Sequence, residues 1–412
     1  MPDFDDAHAG VAANRAGLDS PHAWRMAVAA FFACFVIFGV VYSFGAFFKP
    51  MAAQFGADRT QTSAVFSITA CIYNLLGFAG GHLADRFGPR RVLLTGALAM
   101  GLGLVATSLI DRLWIGYLTY GIGIGIGVGC TYVPVLAMVG GWFDRRRTAA
   151  LGLAVSGVGG GTLVVAPIAA ALIVHFGWRE SYVIMGIAST LMLAACAMLI
   201  EAPPVHTTIA VTPITLTRAM RSPDFLMLYV AMVLVSVSIY IPFVYLPDFA
   251  HSRGVSSVSA AALVGFIGAA SVIGRLGLGS VAARTGIIPL YRTSTLILGL
   301  SFGLWIVSRS YPVMVVFTIV MGLAYGGMIA LSPAVVAELF GVRGLGAMLG
   351  ALYTSSAISA LTGPPLAGFV IDRTGSYLWA AGLAGAAGVI GFLVLLPLGR
   401  TRDTIAVAAE AG

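Results

Sequence analysis

One arginine of this chain stands inside a long apolar stretch, where a charge needs a chemical reason. Arg275 lies between Ala270 and Gly277, and Arg284 follows nine residues later, about 13 Å along a helix axis. A charge in mid-membrane costs roughly 2.5 kcal/mol or more and normally faces a cavity or a partner. No Asp or Glu lies as deep in the other apolar stretches, so the guanidinium could grip the carboxylate of a bound anion through two parallel hydrogen bonds. The alternatives are an arginine that snorkels to the interface or one that backbone carbonyls cap.

Several hydroxyl side chains are expected at a similar depth. Tyr132 and Tyr353 stand about as far from the nearest loop as Arg275 does, and Tyr325 lies near the middle of its apolar stretch. Ser271 precedes Arg275 by one helical turn on the same face. These groups could orient a carboxylate or a 2-hydroxyl group and pack on a short carbon chain, although each tyrosine alone could equally be a packing or interface residue. We predict a substrate-binding set made of these four side chains and Arg275.

The elements that would position these side chains are membrane helices. Of the 412 residues, 59% are hydrophobic and 9% are charged, whereas roughly a quarter of the residues of a soluble domain are charged. About 20 apolar residues cross the hydrocarbon layer as a helix. Charged or Pro-rich breaks leave about twelve such spans, so we predict an all-α membrane protein with 12 transmembrane helices. The net charge of +7 is then explained by loop arginines and not by nucleic-acid binding.

The predicted spans are 25–50, 61–84, 90–110, 113–140, 148–175, 179–200, 224–249, 257–283, 287–308, 311–339, 346–371 and 377–398. Around them we predict a disordered cytoplasmic tail over 1–23, six-helix bundles over 24–200 and 224–398, a cytoplasmic linker over 201–223 and a cytoplasmic tail over 399–412. Most loop arginines fall on the side of the two termini, and the positive-inside rule therefore places both termini in the cytoplasm.

The two halves of the sequence repeat at a constant offset. Residue types match 198 positions apart at Gly56 and Gly254, at Gly88 and Gly286, and at other pairs along five spans. An even number of helices between equivalent points makes this a parallel repeat, which places a cavity between the halves near the midplane and favours alternating access. Tyr42 and Tyr240 share the same offset nearer the outer face, and we predict that they belong to an outer gate.

A charged loop follows the second span. The string GHLADRFGPRR, which begins at Gly81, resembles the signature loop of the major facilitator superfamily, and a weaker copy in the second half has Ala283 in place of Asp85. The resemblance implies the two-bundle facilitator fold and a gating role for Asp85 and Arg86, through ion pairing and helix-end contacts on the cytoplasmic side. The alternative is a basic loop that only sets the topology.

Two further strings narrow the family. The string WFDRRR from Trp142, which leads into a helix of small residues, resembles the fifth-helix signature of monocarboxylate transporters. The string YSFG from Tyr42 resembles bacterial members of that family and the related oxalate–formate exchangers. The resemblance implies secondary transport of a short monocarboxylate such as lactate or pyruvate together with a proton, in the cytoplasmic (inner) membrane of a bacterium. It also implies that the eighth-span arginine, Arg275, binds the substrate with side chains of the fourth, tenth and eleventh spans.

Departures from the family pattern leave open how transport is coupled to protons. Ser271 stands where well-studied relatives carry an Asp, and Ala46 stands where they carry a Lys. The proton could therefore travel on the substrate carboxylate itself, or transport could be an exchange of anions. The exchangers hold a dianion with a second cation in the eleventh span, and the stretch around Tyr353 has none, so a monoanion is favoured.

Other functions fit the sequence less well. An exchanger or facilitator for another organic anion or drug is the nearest alternative, and a transporter-like receptor is the third. We see no combination of acid, base and nucleophile for an enzyme, and we expect no cofactor and no metal. The cysteines, Cys34, Cys71, Cys130 and Cys196, fall in apolar spans without metal-ligand spacing. The internal repeat indicates that a monomer is sufficient for function.

Overall fold

The computed structural model describes residues 18–203, 220–340 and 345–399. The two predicted tails and most of the predicted linker over 201–223 lie outside the described residues. The first helix begins at Pro21, where Ser20 accepts a hydrogen bond from the backbone of Ala23, so the helical part of the chain starts slightly earlier than predicted.

The described residues form helices and no strand. The helices are α1 (Pro21–Tyr42), α2 (Phe44–Phe55), α3 (Arg59–Phe87), α4 (Pro89–Ser108), α5 (Leu113–Gly116), a π-helical stretch (Tyr117–Ile122), α6 (Gly123–Gly129), α7 (Tyr132–Trp142), α8 (Arg147–Phe176), α9 (Trp178–Leu199), α10 (Pro223–Ser252), α11 (Ser257–Thr285), α12 (Ile287–Val307), α13 (Tyr311–Phe340), α14 (Leu345–Thr374) and α15 (Tyr377–Leu395). We call Pro21–Leu199 the first half and Pro223–Leu395 the second half.

These helices are consistent with the predicted twelve spans. Among the described residues, ten helical segments are long and apolar enough to cross a membrane, with α1 and α2 counted together and α5 to α7 counted together. The other two spans are α3 and α14, which pack against each other across the two halves. Both carry hydroxyl side chains that are fully buried, such as Thr62 and Ser67 in α3 and Ser355 in α14. Their polar residues therefore face protein instead of lipid, which explains their lower hydropathy.

Two spans are less regular than predicted. The first span breaks at Ser43, whose hydroxyl donates to the carbonyl of Val40 at 2.8 Å, and then continues to Phe55. The fourth span contains the π-helical stretch and a break between Gly129 and Tyr132. Glycine alternates along this span, and glycine weakens a regular helix because it adds no side chain and costs the most backbone entropy.

The internal repeat is also seen in the backbone φ angles at the helix ends. Glycines at offset 198 share positive φ angles: 84° and 85° at Gly88 and Gly286, and 87° and 66° at Gly177 and Gly375. Each of these glycines directly follows the last residue of a helix, and glycine adopts the positive φ there without the steric cost that a Cβ adds. The matched pairs agree with a parallel repeat.

The two halves approach each other most closely along α8 and α11 and along α3 and α14. A Cβ on Gly159 of α8 would collide with the carbonyl oxygen of Gly268 in α11. The absence of a side chain at this position therefore lets the two helices touch backbone to backbone. This contact brings α8 beside the helix that carries Arg275.

Candidate anion-binding site

Arg275 lies at the contact between the halves. Its Nη1 donates a hydrogen bond to the carbonyl oxygen of Val155 in α8 at 3.2 Å. Its Nε is buried and has no hydrogen-bond partner among the described residues. A buried donor of this kind calls for an explanation, because leaving it unpaired costs about 1–3 kcal/mol and more for a charged group. The edge of the guanidinium that carries Nε is the edge that binds a carboxylate side-on.

Three of the predicted tyrosines surround this guanidinium. The Tyr325 ring centroid lies 5.6 Å from Cζ of Arg275, in cation–π geometry. Tyr132 and Tyr353 lie within electrostatic range of the same charge. Tyr132 also packs edge-on against Phe38, with ring centroids 5.0 Å apart. The fold thus brings together one cation and three phenol groups from α7, α11, α13 and α14.

Ser271 occupies a different setting. Its side chain is 1% exposed and its hydroxyl donates to the Gly268 carbonyl at 2.7 Å, one turn back along α11. A Cβ on Gly326 of α13 would collide with the Ser271 carbonyl oxygen. Ser271 thus lies where α11 packs against α13, with its proton committed to its own helix.

An aromatic layer closes one side of this site. Tyr42 of α1 stacks on Phe243 of α10, with ring centroids 4.0 Å apart and planes 15° apart. Phe243 contacts Tyr325 edge-on at 6.2 Å, and the phenol groups of Tyr42 and Tyr325 lie within interaction range. The layer joins both halves, because Tyr42 belongs to the first and the other two rings belong to the second.

Tyr240 extends the layer toward α3. Its hydroxyl accepts hydrogen bonds from Nδ2 of Asn74 at 3.0 Å and from the Tyr73 hydroxyl at 3.4 Å. Both donors lie in the first half, so Tyr240 is a polar link across the interface. The sequence analysis missed Asn74 and Phe243. An amide side chain within an apolar span can be noticed in the sequence. Phe243 cannot be singled out in this way, because it is one of many phenylalanines.

A charged network joins the halves at the end of the bundle where α3 begins, which we call the Arg59 end. Arg59 contacts Asp372 of α14 through Nη1 at 3.2 Å and through its backbone nitrogen at 3.0 Å. Its Nε lies 3.5 Å from Asp248 of α10, and its Nη2 donates to the Tyr377 hydroxyl at 3.0 Å. Tyr377 in turn donates to Asp248 at 2.5 Å. None of the residues of this network is among the site residues predicted from the sequence.

Polar contacts between the halves are found at the Arg59 end and in the middle of the bundle. Arg86 lies at the opposite end. Arg86 is exposed and its guanidinium lies 5.2 Å from the ring of the adjacent Phe87. The Asp85 side chain lies outside the described residues. The gating roles of these two residues stay predictions.

The site can hold one small anion. A single deep guanidinium with an unused edge supplies one charge and two parallel donors, which match one carboxylate. The phenol groups offer donors for a further oxygen and flat apolar faces for a short chain. Among the residues that the structure describes, no group of three or more His, Cys, Asp or Glu side chains could hold a metal ion.

Comparisons with known proteins agree with the predicted fold. A crystal structure of the peptide transporter POT in complex with sulfate superimposes with a TM-score of 0.74 at 17% identity, covering 91% of this chain and 94% of that chain, which shows a shared fold. Monocarboxylate transporter 13 of Bos taurus is 30% identical over 388 residues, which cover 92% of this chain and 90% of that protein. Monocarboxylate transporter 3 of Rattus norvegicus is 29% identical over 376 residues, 87% of this chain and 76% of that protein.

The match to a family extends over most of the chain. The family model of the Major Facilitator Superfamily matches residues 30–308 and 279–411. Together with relatives that align along nearly their whole length, this match identifies a multi-pass membrane transporter and not an enzyme. The chain belongs to the major facilitator superfamily and, within it, to the monocarboxylate transporter family.

Proposed function

We propose that this protein is a secondary active transporter that carries a short monocarboxylate, such as lactate or pyruvate, by proton-coupled symport. The observation that carries the proposal is the half-buried side chain of Arg275, whose buried Nε has no partner among the described residues and whose neighbours include Tyr325. A charge at this depth is stable only with an opposite charge or strong hydrogen bonds. The names of the relatives, monocarboxylate transporters, support a substrate with one carboxylate.

The transport cycle that we propose alternates between closure at the two ends. With both termini in the cytoplasm of a bacterial cell and the chain in the inner membrane, the Arg59 end faces outward and is the closed end of this conformation. Rocking of the halves would break the Arg59 network and the stack of Tyr42 on Phe243. Asp85 and Arg86 would then stabilise closure on the cytoplasmic side. One chain contains both halves, so a monomer suffices.

The proton would travel with the substrate. Ser271 stands where an acidic carrier is expected from the relatives, and its hydroxyl is committed to Gly268. Beside Arg275 the opposite charge keeps the substrate carboxylate ionised, whereas away from the guanidinium burial disfavours the charged form and raises the pKa of the acid. The substrate would therefore take up a proton as it leaves Arg275 and would cross the aromatic layer as a neutral acid.

Anion exchange is the second candidate, and the same observation favours it. Without an acidic side chain beside Arg275 among the described residues, the transporter would reorient most easily with a second anion bound to the guanidinium. In that case, net uptake would require a counter-substrate inside.

Uptake of labelled L-lactate into proteoliposomes separates these modes. Purified protein is reconstituted with an alkaline interior, with equal pH on both sides, or with equal pH and unlabelled lactate inside, and protein-free liposomes correct for diffusion of lactic acid. Symport predicts accumulation driven by the pH gradient with empty vesicles. Uptake that occurs only into preloaded vesicles would indicate exchange instead of symport. Binding without accumulation would indicate a receptor.

A further inference from the structure

A cavity lies at the Arg59 end, apart from the residues around Arg275. It is partly open and has a volume of about 260 Å³ between α2 and α8 of the first half and α10 and α11 of the second. This volume is below the roughly 300–1,000 Å³ of pockets for drug-sized ligands, so the cavity suits a smaller molecule. Its wall is largely apolar, with Ala46, Ala53, Ala170, Ile173 and Ala260 among its residues.

A cation and an imidazole meet in this cavity. Nζ of Lys49 in α2 lies 3.1 Å from Nδ1 of His251 in α10, so the contact joins the two halves. An ammonium group has only donors, and Nδ1 of His251 must therefore accept. A neutral imidazole in this arrangement carries its proton on Nε2, which leaves a second N–H donor in the same cavity. Within the described residues, no carboxylate lies within 4 Å of Nζ of Lys49.

One carboxylate does line the cavity, but it is already paired. Asp248 accepts a hydrogen bond from the Tyr377 hydroxyl at 2.5 Å and lies 3.5 Å from Nε of Arg59. Its side chain is only 10% exposed. Arg59 is shared by Asp248 and Asp372. Asp248 is further held by the Tyr377 hydroxyl, so this carboxylate is engaged away from Lys49. An ammonium group without a close carboxylate, beside a short apolar wall, is complementary to one carboxylate on a short carbon chain.

We propose that this cavity is a second binding site for a short monocarboxylate, held by Lys49 and His251 with its carbon chain against the alanines and Ile173. The ligand class rests on the proposed function, whereas the contact of Lys49 with His251 in the cavity does not. Ala46 lies one helical turn beyond Tyr42 toward the Arg59 end, so the stack of Tyr42 on Phe243 separates this site from Arg275. The cavity is a waiting site on the outer side of the aromatic layer.

The proposal is tested by the chemistry of a cysteine placed in the cavity wall. Ala53 is exposed and lies one turn from Lys49 on the same helix. The Ala53→Cys variant is made in a full-length chain that carries Arg275→Ala and has its four native cysteines replaced by alanine. Its modification rates are compared for two methanethiosulfonates of similar size, the anionic sulfonatoethyl and the cationic trimethylammonioethyl reagent. Lys49→Gln removes the charge and Lys49→Arg keeps it. Ser310→Cys, in an exposed loop before α13, reports general access.

We expect the anionic reagent to react roughly five- to tenfold faster than the cationic one at Ala53→Cys, because a unit charge several ångströms away favours one and disfavours the other. Lys49→Gln should abolish this ratio, Lys49→Arg should keep it, and neither should change the ratio at Ser310→Cys. L-lactate should slow modification at Ala53→Cys only while residue 49 is cationic. Equal rates for the two reagents, or lactate protection that survives Lys49→Gln, would overturn the proposal. Because Arg275→Ala is present throughout, failure of the central site leaves this result readable.

Discussion

Arg275 and Val155 join the two halves of the protein at the candidate anion site. Nη1 of Arg275 donates to the Val155 carbonyl at 3.2 Å, while the buried Nε has no partner among the described residues. Capping by a backbone carbonyl, one of the alternatives left open by the sequence, is therefore found at one nitrogen. The other edge of the guanidinium stays available for a carboxylate. Binding of an anion and movement of the two halves would therefore both change the contacts of Arg275.

The Tyr325 ring should contribute to substrate affinity. Tyr325→Leu removes the aromatic face 5.6 Å from Cζ of Arg275, which holds the guanidinium in place. Cation–π contacts contribute about 0.5–2 kcal/mol, so the KM for lactate should rise between about twofold and thirtyfold. Tyr325→Phe keeps the ring and is the matched control, with a KM expected within about twofold of wild type. Equal loss in both variants would assign the effect to the hydroxyl instead of the ring.

The close approach of α8 and α11 should not tolerate a side chain. In Gly159→Ala the new methyl group meets the Gly268 carbonyl, and overpacking of this kind costs about 1–3 kcal/mol. Gly303→Ala in α12 is the control, because a Cβ there meets nothing within 4 Å and alanine favours a helix over glycine. Thermal unfolding in detergent should give a lower Tm for Gly159→Ala and an unchanged or higher Tm for Gly303→Ala. A Tm for Gly159→Ala at or above that of Gly303→Ala would refute the contact.

The Arg59 network should hold one end of the bundle closed. Arg59→Gln removes the side-chain contacts with Asp372 and Asp248 but keeps the backbone hydrogen bond to Asp372. A partly exposed pair of this kind contributes at most about 1 kcal/mol, or roughly a fivefold change in the ratio of closed to open states. Spin labels on Gln54→Cys and Thr374→Cys, one in each half, should report a larger population of long distances by electron double resonance.

Two comparisons make that experiment specific. Arg112→Gln removes an exposed arginine elsewhere and should leave the distance distribution unchanged. Exchange of the charges, with Arg59→Asp and Asp372→Arg together, should restore part of the short-distance population. An identical distribution in wild type and Arg59→Gln would show that aromatic packing alone closes this end.

Asp19 should stabilise the loop before α8 only above acidic pH. Partial desolvation raises the pKa of Asp19, but hydrogen bonds from the backbone N–H groups of Arg145, Arg146 and Asp144, with the charge of Arg146, outweigh it and lower the pKa below the ordinary value of about 3.9. A lowered pKa stabilises the folded state above the ordinary value, and this contribution is lost as the pH falls through the lowered one. The Tm difference between wild type and Asp19→Ala should therefore be present at pH 7 and fade below about pH 4. A difference that is constant with pH would exclude the carboxylate as its cause.

The centre of the site could be predicted because a membrane makes charge placement costly. Arg275 is conspicuous in an apolar stretch, and the rise of a helix is enough to find Tyr132, Tyr325 and Tyr353 at a matching depth. The fold brings all three near the guanidinium. The glycine repeat could also be predicted from the sequence, because helix ends need positive φ at fixed places.

The remaining contacts depend on packing between distant parts of the chain, which a single sequence does not show. The partner of Nη1 is a backbone carbonyl at Val155, and every residue has one. Arg59 meets Asp372 across more than 300 positions, and the 198 offset pairs Arg59 with Ser257, so the repeat gives no hint of the network. Ser271 was expected in the pocket from its helical spacing, but spacing alone cannot say that α13 packs against that face.

The most direct test of the account is lactate uptake by Arg275 variants in proteoliposomes with an alkaline interior. Loss of one partner of a buried charge pair costs about 2–5 kcal/mol, so Arg275→Ala should lower uptake at least about thirtyfold, with elution and Tm showing that the variant is folded. Arg275→Lys keeps the charge without the planar fork and should fall between the two. If Arg275→Ala accumulates lactate with the KM and rate of wild type, the guanidinium is not the anion site and the proposed substrate class is wrong.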